Sequence, residues 1–406
     1  MVYKMEEKVK INLENIAQEQ HEIKVALREK ERAYYPDKIT EFGLKTIDRF
    51  VKYCPDPSKY MQMGITFAHK DLEIIAEAIA DKKPWAVVSG LNPSGPLHFG
   101  HKAIFDELLW MQQHGADVFI PITNDESYVV GKTKSLAEAR RIAYEEVIPS
   151  IIAMGFDSKK TRIYVDSDYP DIYNVAMDLS NKITLNKAFG VFGFDKKEEG
   201  ENPGTMFYRA AVQVAQILLP QYEEFGGPKP TIIPVGIDQH PYILLARDIA
   251  IKKGFIPPAE LITKFLPSLK NPEDKMSASI KDSCIFLTED QKTAHDKIQK
   301  AYTGGSVSAK YQKTKGGIPE ICPLYALQKY HFLNIEEAEK VAKNYRAGKI
   351  MSDEFKKTTS YFVEKFLKEH QAKLPDAKKR IDKFLLKVPI KSILVEKAIK
   401  ESEQEK

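Results

Sequence analysis

The chain has 406 residues, 43% of them hydrophobic, which is enough for two or three globular domains. Its net charge of only +4 is too small to indicate a nucleic-acid partner by itself. Three widely separated cysteines, Cys54, Cys284 and Cys322, fit neither a disulfide framework nor a Cys-x-x-Cys metal site. Because no apolar run reaches the roughly 18 residues of a membrane span and no signal-peptide core is present, we expect a cytoplasmic protein without a metal site.

A helical N-terminal extension is predicted over residues 1–79. Ile16, Ile23 and Leu27 recur at helix-compatible intervals in a stretch that has no Pro or Gly. Residues 71–80 form a second amphipathic pattern that leads into an apolar strand. We therefore expect the central part of the molecule to begin near residue 80.

An alternation of strands and helices follows and predicts an α/β domain over residues 80–288. The expected strands are 85–89, 118–122, 162–165 and 231–235, and the expected helices are 101–114, 135–154 and 242–252. Such alternation indicates a parallel sheet with helical crossovers. A mostly helical insertion is expected at about 171–222, broken by an acidic Gly/Pro loop at 197–204. After Thr288 the strand pattern fades, and an all-α C-terminal domain is predicted over 289–406.

The turn after the first strand has the features of a phosphate-binding turn. Gly90 and Gly95 are expected where a side chain would block the backbone, and Gly100 where a flat ligand approaches the helix N-terminus. Ser94 lies between them and can donate a hydrogen bond to a nucleotide. The sequence therefore predicts a nucleotide site at the end of this strand.

Two histidines, His98 and His101, occupy the first turn of the helix that follows. Each imidazole can donate to a phosphate oxygen as negative charge develops during attack on an α-phosphate. Far downstream, a polar loop at 271–279 supplies an ammonium, Lys275, that could reach a leaving pyrophosphate. Met276 follows it, and Ser277 and Ser279 would add hydrogen bonds, so we expect a mobile loop that closes on ATP.

His98-Phe99-Gly100-His101 together with Lys275-Met276-Ser277-Ala278-Ser279 resembles the two signature sequences of class I aminoacyl-tRNA synthetases. The resemblance implies a Rossmann-like catalytic core, adenylation of an amino acid by ATP, and transfer of the aminoacyl group to the terminal ribose of a tRNA. The ion expected is Mg²⁺, which enters with ATP and is held largely by phosphates and water.

A third segment, 236–242, followed by Ala246-Arg247-Asp248, is similar to the tyrosine and tryptophan subgroup, and closest to the tryptophanyl enzymes of archaea and eukaryotes. The resemblance covers roughly residues 38–375 and implies L-tryptophan and tRNA(Trp) as substrates. By this resemblance Asp238 should meet the adenosine ribose and Gly236 should allow close approach of the nucleotide. Gln239, Gln213 and Glu126 are expected at the amino end of the amino acid.

The residues expected to contact the side chain of the substrate differ from those of both the tyrosyl and the tryptophanyl enzymes. Tyrosyl enzymes usually place a Tyr near Val88 and an Asp near Gln216, and this chain has neither, which favours tryptophan. Eukaryotic tryptophanyl enzymes place a Tyr near Val88 and a Gln near Pro121, and others use an Asp near Gln216. We expect the Gln216 amide oxygen to accept the indole N–H, with Val88 and Ile122 forming an apolar wall.

The C-terminal domain is expected to bind the anticodon. Residues 343–400 hold sixteen basic and seven acidic side chains, and Tyr345, Tyr361 and Phe362 could stack on unpaired bases. A homodimer is expected through the helix after His101, whose apolar residues are Phe105, Leu108, Leu109, Trp110 and Met111.

Three alternatives stay open at this point. The first is a tyrosine-tRNA ligase, and the second is a nucleotidyltransferase that makes a dinucleotide cofactor from ATP. The third is a non-catalytic RNA-binding paralogue of a synthetase. The second would leave the basic helical C-terminal domain and the 236–242 segment without a role, and the third would be expected to lose part of the ATP motifs.

Overall fold

The computed structural model describes residues 2–54, 56–192 and 202–393, so most of the acidic loop predicted at 197–204 lies outside the described residues. In this part of the chain the strands form one sheet in the order β1-β2-β7-β6-β3-β4-β5. The strands are β1 (Lys45–Thr46), β2 (Thr66–Lys70), β3 (Ala86–Val88), β4 (Asp117–Ile122), β5 (Thr161–Val165), β6 (Thr231–Gly236) and β7 (Ala259–Thr263).

Helices precede, connect and follow the strands. Those before the insertion are α1 (Val2–Phe42), α2 (Asp48–Tyr53), α3 (Lys59–Gln62), α4 (Glu73–Ala80), α5 (Phe99–Gln113), α6 (Asn124–Val129), α7 (Leu136–Ile142) and α8 (Ile148–Ala153). The insertion and second half contain α9 (Asp171–Ser180), α10 (Leu185–Phe192), α11 (Pro203–Phe207), α12 (Gln213–Leu218) and α13 (His240–Lys253). The C-terminal helices are α14 (Gln291–Lys300), α15 (Ala309–Lys315), α16 (Pro323–His331), α17 (Ile335–Arg346) and α18 (Ser352–Arg380).

The five strands β7-β6-β3-β4-β5 are parallel, which confirms the predicted α/β fold. Val87 pairs with Val118 of β4 on one side and with Ile232 of β6 on the other. Strand order therefore reverses at β3, and the crevice at the carboxyl ends of β3 and β6 is a topological switch point. Ligands bind at such points in open α/β sheets.

Strands β1 and β2 correct the expectation of an entirely helical N-terminal extension over 1–79. Strand β2 is antiparallel to β7, with Thr66 opposite Thr263, and it extends the sheet beyond its parallel part. Strand β7 was also not predicted. Its sequence pattern is interrupted by an acidic residue, Glu260, which is fully buried and shares a 2.7 Å hydrogen bond with His240 Nδ1.

Both faces of the parallel sheet are covered, as its alternating buried residues require. Val87 and Ile122 belong to the core on one face with α5 and α8, and Val88 belongs to the core on the other face with the insertion helices. The C-terminal helices pack against α8, where Ser150 Oγ lies 2.8 Å from His370 Nε2. None of the helices in the described ranges is both long and apolar enough to cross a bilayer.

Helix α5 does not offer the apolar surface that was expected for a homodimer. Phe105, Leu108 and Met111 are at most 3% exposed, and they are packed inside the chain. Leu109 and Trp110 are half-buried against the same core. Residues distant in sequence, including the C-terminal helices, cover most of its apolar side chains, so the apolar surplus predicted for this helix is wrong, while the homodimer itself stays a prediction.

Candidate active site

A cavity of about 760 Å³ lies at the carboxyl ends of β3, β4 and β6. It brings together fifteen of the predicted site residues: Val88, Gly90, Ser94, His98, Gly100, His101, Glu126, Gln213, Gln216, Gly236, Gln239, Lys275, Met276, Ser277 and Ser279. Gly95 and Asp238 are not on its wall. The two motifs, separated by more than 170 residues in the sequence, therefore line one space.

The first histidine caps the helix that carries the second. His98 has an extended backbone and is the N-cap of α5, and its Nδ1 accepts from the Gly100 N–H at 3.1 Å. In return the His98 N–H donates to His101 Nδ1 at 3.3 Å, and the two rings stack with centroids 3.8 Å apart. Since each Nδ1 is an acceptor, each neutral ring carries its proton on Nε2. Both side chains line the cavity with an N–H donor available.

Burial keeps both imidazoles neutral. The pKa of His101 is lowered to about 4 by desolvation and then by the positive charges of Lys132 and Lys275. The pKa of His98 is lowered well below its usual range by desolvation and by His101. Neutral rings fixed in one tautomer are hydrogen-bond donors that need no reorientation when charge develops beside them.

Gly90 and Gly95 differ in what the fold demands of them. A Cβ at Gly90 would lie 2.2 Å from the Pro121 carbonyl oxygen and 2.5 Å from Pro121 Cγ, so β3 and β4 approach too closely for any side chain. A Cβ at Gly95 would meet no atom within 4 Å, and its backbone is not left-handed. The expectation that a side chain at Gly95 would be blocked is therefore wrong for the protein without ligand.

Gly100 and Gly236 each make room for an aromatic ring. A Cβ at Gly100 would lie 2.8 Å from His98 Cε1, so this glycine lets the His98 ring fold back as a cap. A Cβ at Gly236 would lie 2.3 Å from Phe265 Cε1. In both cases the ring beside the glycine lines the cavity, and the glycine allows its approach.

Backbone pairing joins the downstream loop to the catalytic turn. The Met276 N–H donates to the Leu266 carbonyl at 2.9 Å, which closes a hairpin around the loop. Beyond the loop, the Leu287 N–H donates to the Leu97 carbonyl at 2.7 Å, one residue before His98. The two motifs are thus held together by the backbone at the base of the loop.

Lys275 contacts Asp238, the residue predicted to bind the ribose of ATP. Its Nζ lies 2.8 Å from Asp238 Oδ2 and 4.8 Å from the centre of the Phe265 ring. Both members of the ion pair are partly exposed, at 53% and 42% of the side chain. Ser277 Oγ and Ser279 Oγ lie 2.9 Å apart beside the cavity. In this state the predicted ribose ligand and the predicted pyrophosphate ligand are paired with each other.

A second group of polar residues lines the same cavity. Thr123 Oγ1 donates to Glu126 Oε2 at 2.7 Å and so orients that carboxylate. Gln213 Nε2 donates to Gln239 Oε1 at 3.3 Å, joining α12 to the turn after β6. A carboxylate and two amides with further hydrogen-bonding capacity suit an ammonium group.

Gln216 is 3% exposed and is oriented by two neighbours. Its Nε2 donates to Asp166 Oδ2 at 2.5 Å, and its Oε1 accepts from the Tyr208 hydroxyl at 3.3 Å. Val88 lines the cavity nearby, whereas Ile122 packs into the core on the other face of the sheet. The apolar wall predicted from Val88 and Ile122 is therefore corrected, and Pro121 stands on the cavity wall instead.

Sequence reasoning missed several residues of this site. Lys132, Lys264, Phe265 and Tyr208 all line the cavity. Lys264 and Phe265 directly follow the carboxyl end of β7. Because this strand was not predicted, no site residues were expected there. Within the described ranges, no group of three or more His, Cys, Asp or Glu side chains could hold a metal ion.

Comparison with known proteins identifies the family. Residues 80–368 match the family model of class I tRNA synthetases for tryptophan and tyrosine (W and Y). The tryptophan–tRNA ligase of Pyrobaculum calidifontis is 34% identical over 365 residues, covering 87% of this chain and 95% of that protein. That of Methanocaldococcus jannaschii is 35% identical over 357 residues, covering 86% and 95%.

A solved structure gives the same result for the fold. The crystal structure of tryptophanyl-tRNA synthetase from Aeropyrum pernix K1 superposes with a TM-score of 0.79 at 34% identity. The match covers 87% of this chain and 96% of that one. With the two motifs on one cavity at the switch point of the sheet, the chain belongs to the class I tRNA synthetases of the tryptophan and tyrosine family.

Proposed function

We propose that this protein is a tryptophan–tRNA ligase. It activates L-tryptophan with ATP to tryptophanyl-adenylate and pyrophosphate, and then transfers tryptophan to the 3′-terminal ribose of tRNA(Trp). The observation that carries the proposal is the single cavity that His98, Lys275 and Glu126 share. The choice of tryptophan is supported by the archaeal relatives, which are themselves named as tryptophan–tRNA ligases.

The first reaction places negative charge next to both histidines. A carboxylate oxygen of the amino acid attacks the α-phosphorus, the bond to the β-phosphate oxygen breaks, and pyrophosphate leaves with that electron pair. His98 and His101 donate from Nε2 to the α-phosphate oxygens, and Lys275 and the hydroxyls of Ser277 and Ser279 stabilise the leaving group. Mg²⁺ enters with ATP and neutralises phosphate charge.

The nucleoside and amino acid occupy the remaining walls. Asp238 accepts from the ribose hydroxyls once Lys275 has left it, and the backbones of Gly90, Gly95 and Gly236, with Ser94 and Met276, border the nucleotide. Glu126 pairs with the substrate ammonium, assisted by Gln213 and Gln239. Replacing each residue in turn tests these roles. Replacements at the nucleotide should raise the Michaelis constant for ATP, and replacements at the ammonium should raise that for tryptophan.

Gln216 is proposed to accept the indole N–H. Its carbonyl oxygen has a second lone pair beyond the one that Tyr208 uses, and its Nε2 is already committed to Asp166. Gln216→Ala is expected to raise the Michaelis constant for tryptophan. For a benzothienyl analogue of tryptophan, which has sulfur in place of the indole N–H, the same replacement should raise the Michaelis constant much less. An unchanged Michaelis constant for tryptophan in Gln216→Ala would exclude Gln216 as the acceptor.

Exchange of pyrophosphate into ATP, run with each of the twenty amino acids, tests the function as a whole. Exchange with tryptophan alone supports the proposal, and exchange with tyrosine alone identifies a tyrosine–tRNA ligase. No exchange with any amino acid would favour the non-catalytic paralogue or the nucleotidyltransferase. A double replacement, His98→Ala with His101→Ala, is the control for exchange by a contaminating enzyme.

We infer that residues 289–406 form the anticodon-binding domain. Tyr361 supports this, since 63% of it is exposed on α18, a helix rich in lysine. Tyr345 is fully buried in the core, and Phe362 is half-buried and stacks on Phe332, so neither ring presents a free face. The stacking role is therefore assigned to Tyr361 alone.

We propose a cytoplasmic homodimer that uses the insertion rather than α5. Exposed apolar side chains occur on three neighbouring helices: Met177 on α9, Leu185 on α10, and Leu244 and Ile251 on α13. An ion pair between Lys253 and Asp178 ties α13 to α9. Burying such a surface against a second copy accounts for apolar groups that a monomer would leave in water. Sedimentation equilibrium of the full chain tests it.

A further inference from the structure

Asp166 is a buried carboxyl in contact with the residue proposed to bind the indole. It begins the short turn Asp166–Asp168 after β5, and it is fully buried and absent from the cavity wall. Its Oδ2 accepts the 2.5 Å hydrogen bond from Gln216 Nε2. Gln216 lines the cavity, so Asp166 contacts the cavity wall without being part of it.

The Asp166 carboxyl has a second acid as its neighbour. The carboxyl of Asp125 on α6 lies within hydrogen-bonding distance of it, and burial, then the charge of Asp125, raise the pKa of Asp166 well above its usual range. Asp125 accepts from the Tyr173 hydroxyl at 3.0 Å and from the Glu126 N–H at 2.8 Å. Asp166 Oδ1 is buried, and no donor among the described residues contacts it. A proton on Oδ1 that is donated to Asp125 pairs the two acids, and it leaves Asp166 Oδ2 as an acceptor only.

The two ends of the Gln216 amide therefore meet groups of opposite kind. An acceptor, Asp166 Oδ2, faces the amide nitrogen, and a donor, the Tyr208 hydroxyl, lies 3.3 Å from the amide oxygen. If the amide were rotated by half a turn, its oxygen would face Asp166 Oδ2, and neither acceptor would have a donor. Because a buried acceptor without a donor is costly, the amide keeps its oxygen toward Tyr208, which also lines the cavity.

We propose that Asp166 is a positioning residue that fixes the Gln216 amide with its oxygen available to the substrate and so selects an indole N–H. The inference rests on the proposed function and deepens it, because it assigns the origin of the choice of side chain. An amide that could rotate would offer its NH2 group as readily as its oxygen, and an NH2 donor opposes an indole N–H. Discrimination by a buried hydrogen bond requires a partner that cannot turn away.

Pyrophosphate exchange with tryptophan and with its benzothienyl analogue tests this role. The quantity measured is the ratio of kcat/KM for tryptophan to kcat/KM for the analogue, which does not depend on the fraction of enzyme that is folded. Asp166→Ala is expected to lower this ratio about 5- to 10-fold, the effect of one lost hydrogen bond. Asp166→Asn should keep the ratio within about twofold of the wild type, because its amide oxygen can accept from Gln216 while its NH2 group donates to Asp125.

Asp168 provides the matched control. It ends the same turn, but its side chain is 27% exposed and pairs with Arg140 at 2.8 Å instead of with Gln216. Asp168→Asn should therefore leave the ratio unchanged. A double variant, Asp166→Ala with Gln216→Ala, should have the same ratio as Gln216→Ala alone, since Asp166 acts through Gln216. If Asp166→Ala does not fold, Asp166→Leu replaces it, because leucine fills the space and also lacks an acceptor.

Three results would overturn the proposal. The first is an unchanged ratio in Asp166→Ala, and the second is an equal loss in Asp166→Ala and Asp166→Asn, which would mean that the acceptor is not what matters. The third is a double variant whose ratio lies below that of Gln216→Ala.

Failure of the proposed function gives a different result. A wild type that exchanges with tyrosine alone refutes the tryptophan function and the indole contact together, whereas an unchanged ratio in Asp166→Ala refutes only the role of Asp166. If the wild type exchanges with no amino acid, calorimetric titration with tryptophan and the benzothienyl analogue replaces the assay. A preference for tryptophan that is lost in Asp166→Ala then supports the inference, and a wild type without this preference overturns it.

Discussion

Gly90→Ala and Gly95→Ala add the same methyl group five residues apart in one turn, yet the surroundings of the two sites predict different results. At Gly90 the new Cβ would lie 2.2 Å from a backbone oxygen of Pro121, so β3 and β4 must separate by roughly 1 Å. Overpacking of this kind costs about 1–3 kcal/mol. At Gly95 nothing lies within 4 Å, and an alanine should be neutral or stabilise by about 0.4–1 kcal/mol.

Thermal unfolding and ATP kinetics check this pair together. At about 2–4 °C per kcal/mol for a domain of this size, Gly90→Ala should lower the Tm by about 2–12 °C. Gly95→Ala should leave the Tm unchanged or raise it slightly. If Gly95→Ala keeps its Tm but raises the Michaelis constant for ATP, the demand for glycine there comes from the nucleotide. A Tm for Gly90→Ala within 1 °C of the wild type would refute the reasoning.

Three further predictions concern charge and RNA. Because the pKa of His101 is lowered to about 4 while the unfolded residue titrates near 6.5, the unfolded chain binds the extra proton and stability should fall as pH drops from 6.5 to 4. His101→Asn should flatten that part of the Tm profile. Asp238→Asn breaks an exposed ion pair with Lys275, so it should barely change the Tm but raise the Michaelis constant for ATP severalfold. Tyr361→Ala should weaken tRNA charging and leave pyrophosphate exchange intact, whereas Phe362→Ala should chiefly lower the Tm.

The sequence predicted four of the five parallel strands, and several of the site residues, for the same physical reason. Successive strands of a parallel sheet end at one edge, so polar residues that follow β3, β4 and β6 must meet there. His98 and Glu126 were therefore found by their place after a strand, whereas Gln239 was placed through the family resemblance. The motif at Lys275 was placed with them through the family resemblance, and backbone pairing with the His98 turn shows how it reaches them.

What the sequence missed depends on contacts between distant segments. The pattern of β7 is interrupted by Glu260, which is tolerated in the core because His240 pairs with it. The apolar residues of α5 indicated a surface, but Phe99 at its start packs against His331 and Phe366 of the C-terminal helices. Neither contact produces a periodic pattern in the local sequence, so neither could be predicted from its own segment alone.

The ion pair between Lys275 and Asp238 links the state of the loop to the nucleotide. Under the proposed roles Asp238 binds the ribose and Lys275 the pyrophosphate, and neither can do so while the two remain 2.8 Å apart in direct contact. ATP therefore replaces one exposed ion pair, which is worth little, with contacts to both partners. Loss of Lys275 should consequently slow the chemical step more than ATP association, because Lys275 is paired with Asp238 before ATP binds. Stopped-flow binding and single-turnover rates separate the two steps, and an effect of Lys275→Ala on association as large as its effect on the single-turnover rate would contradict this order.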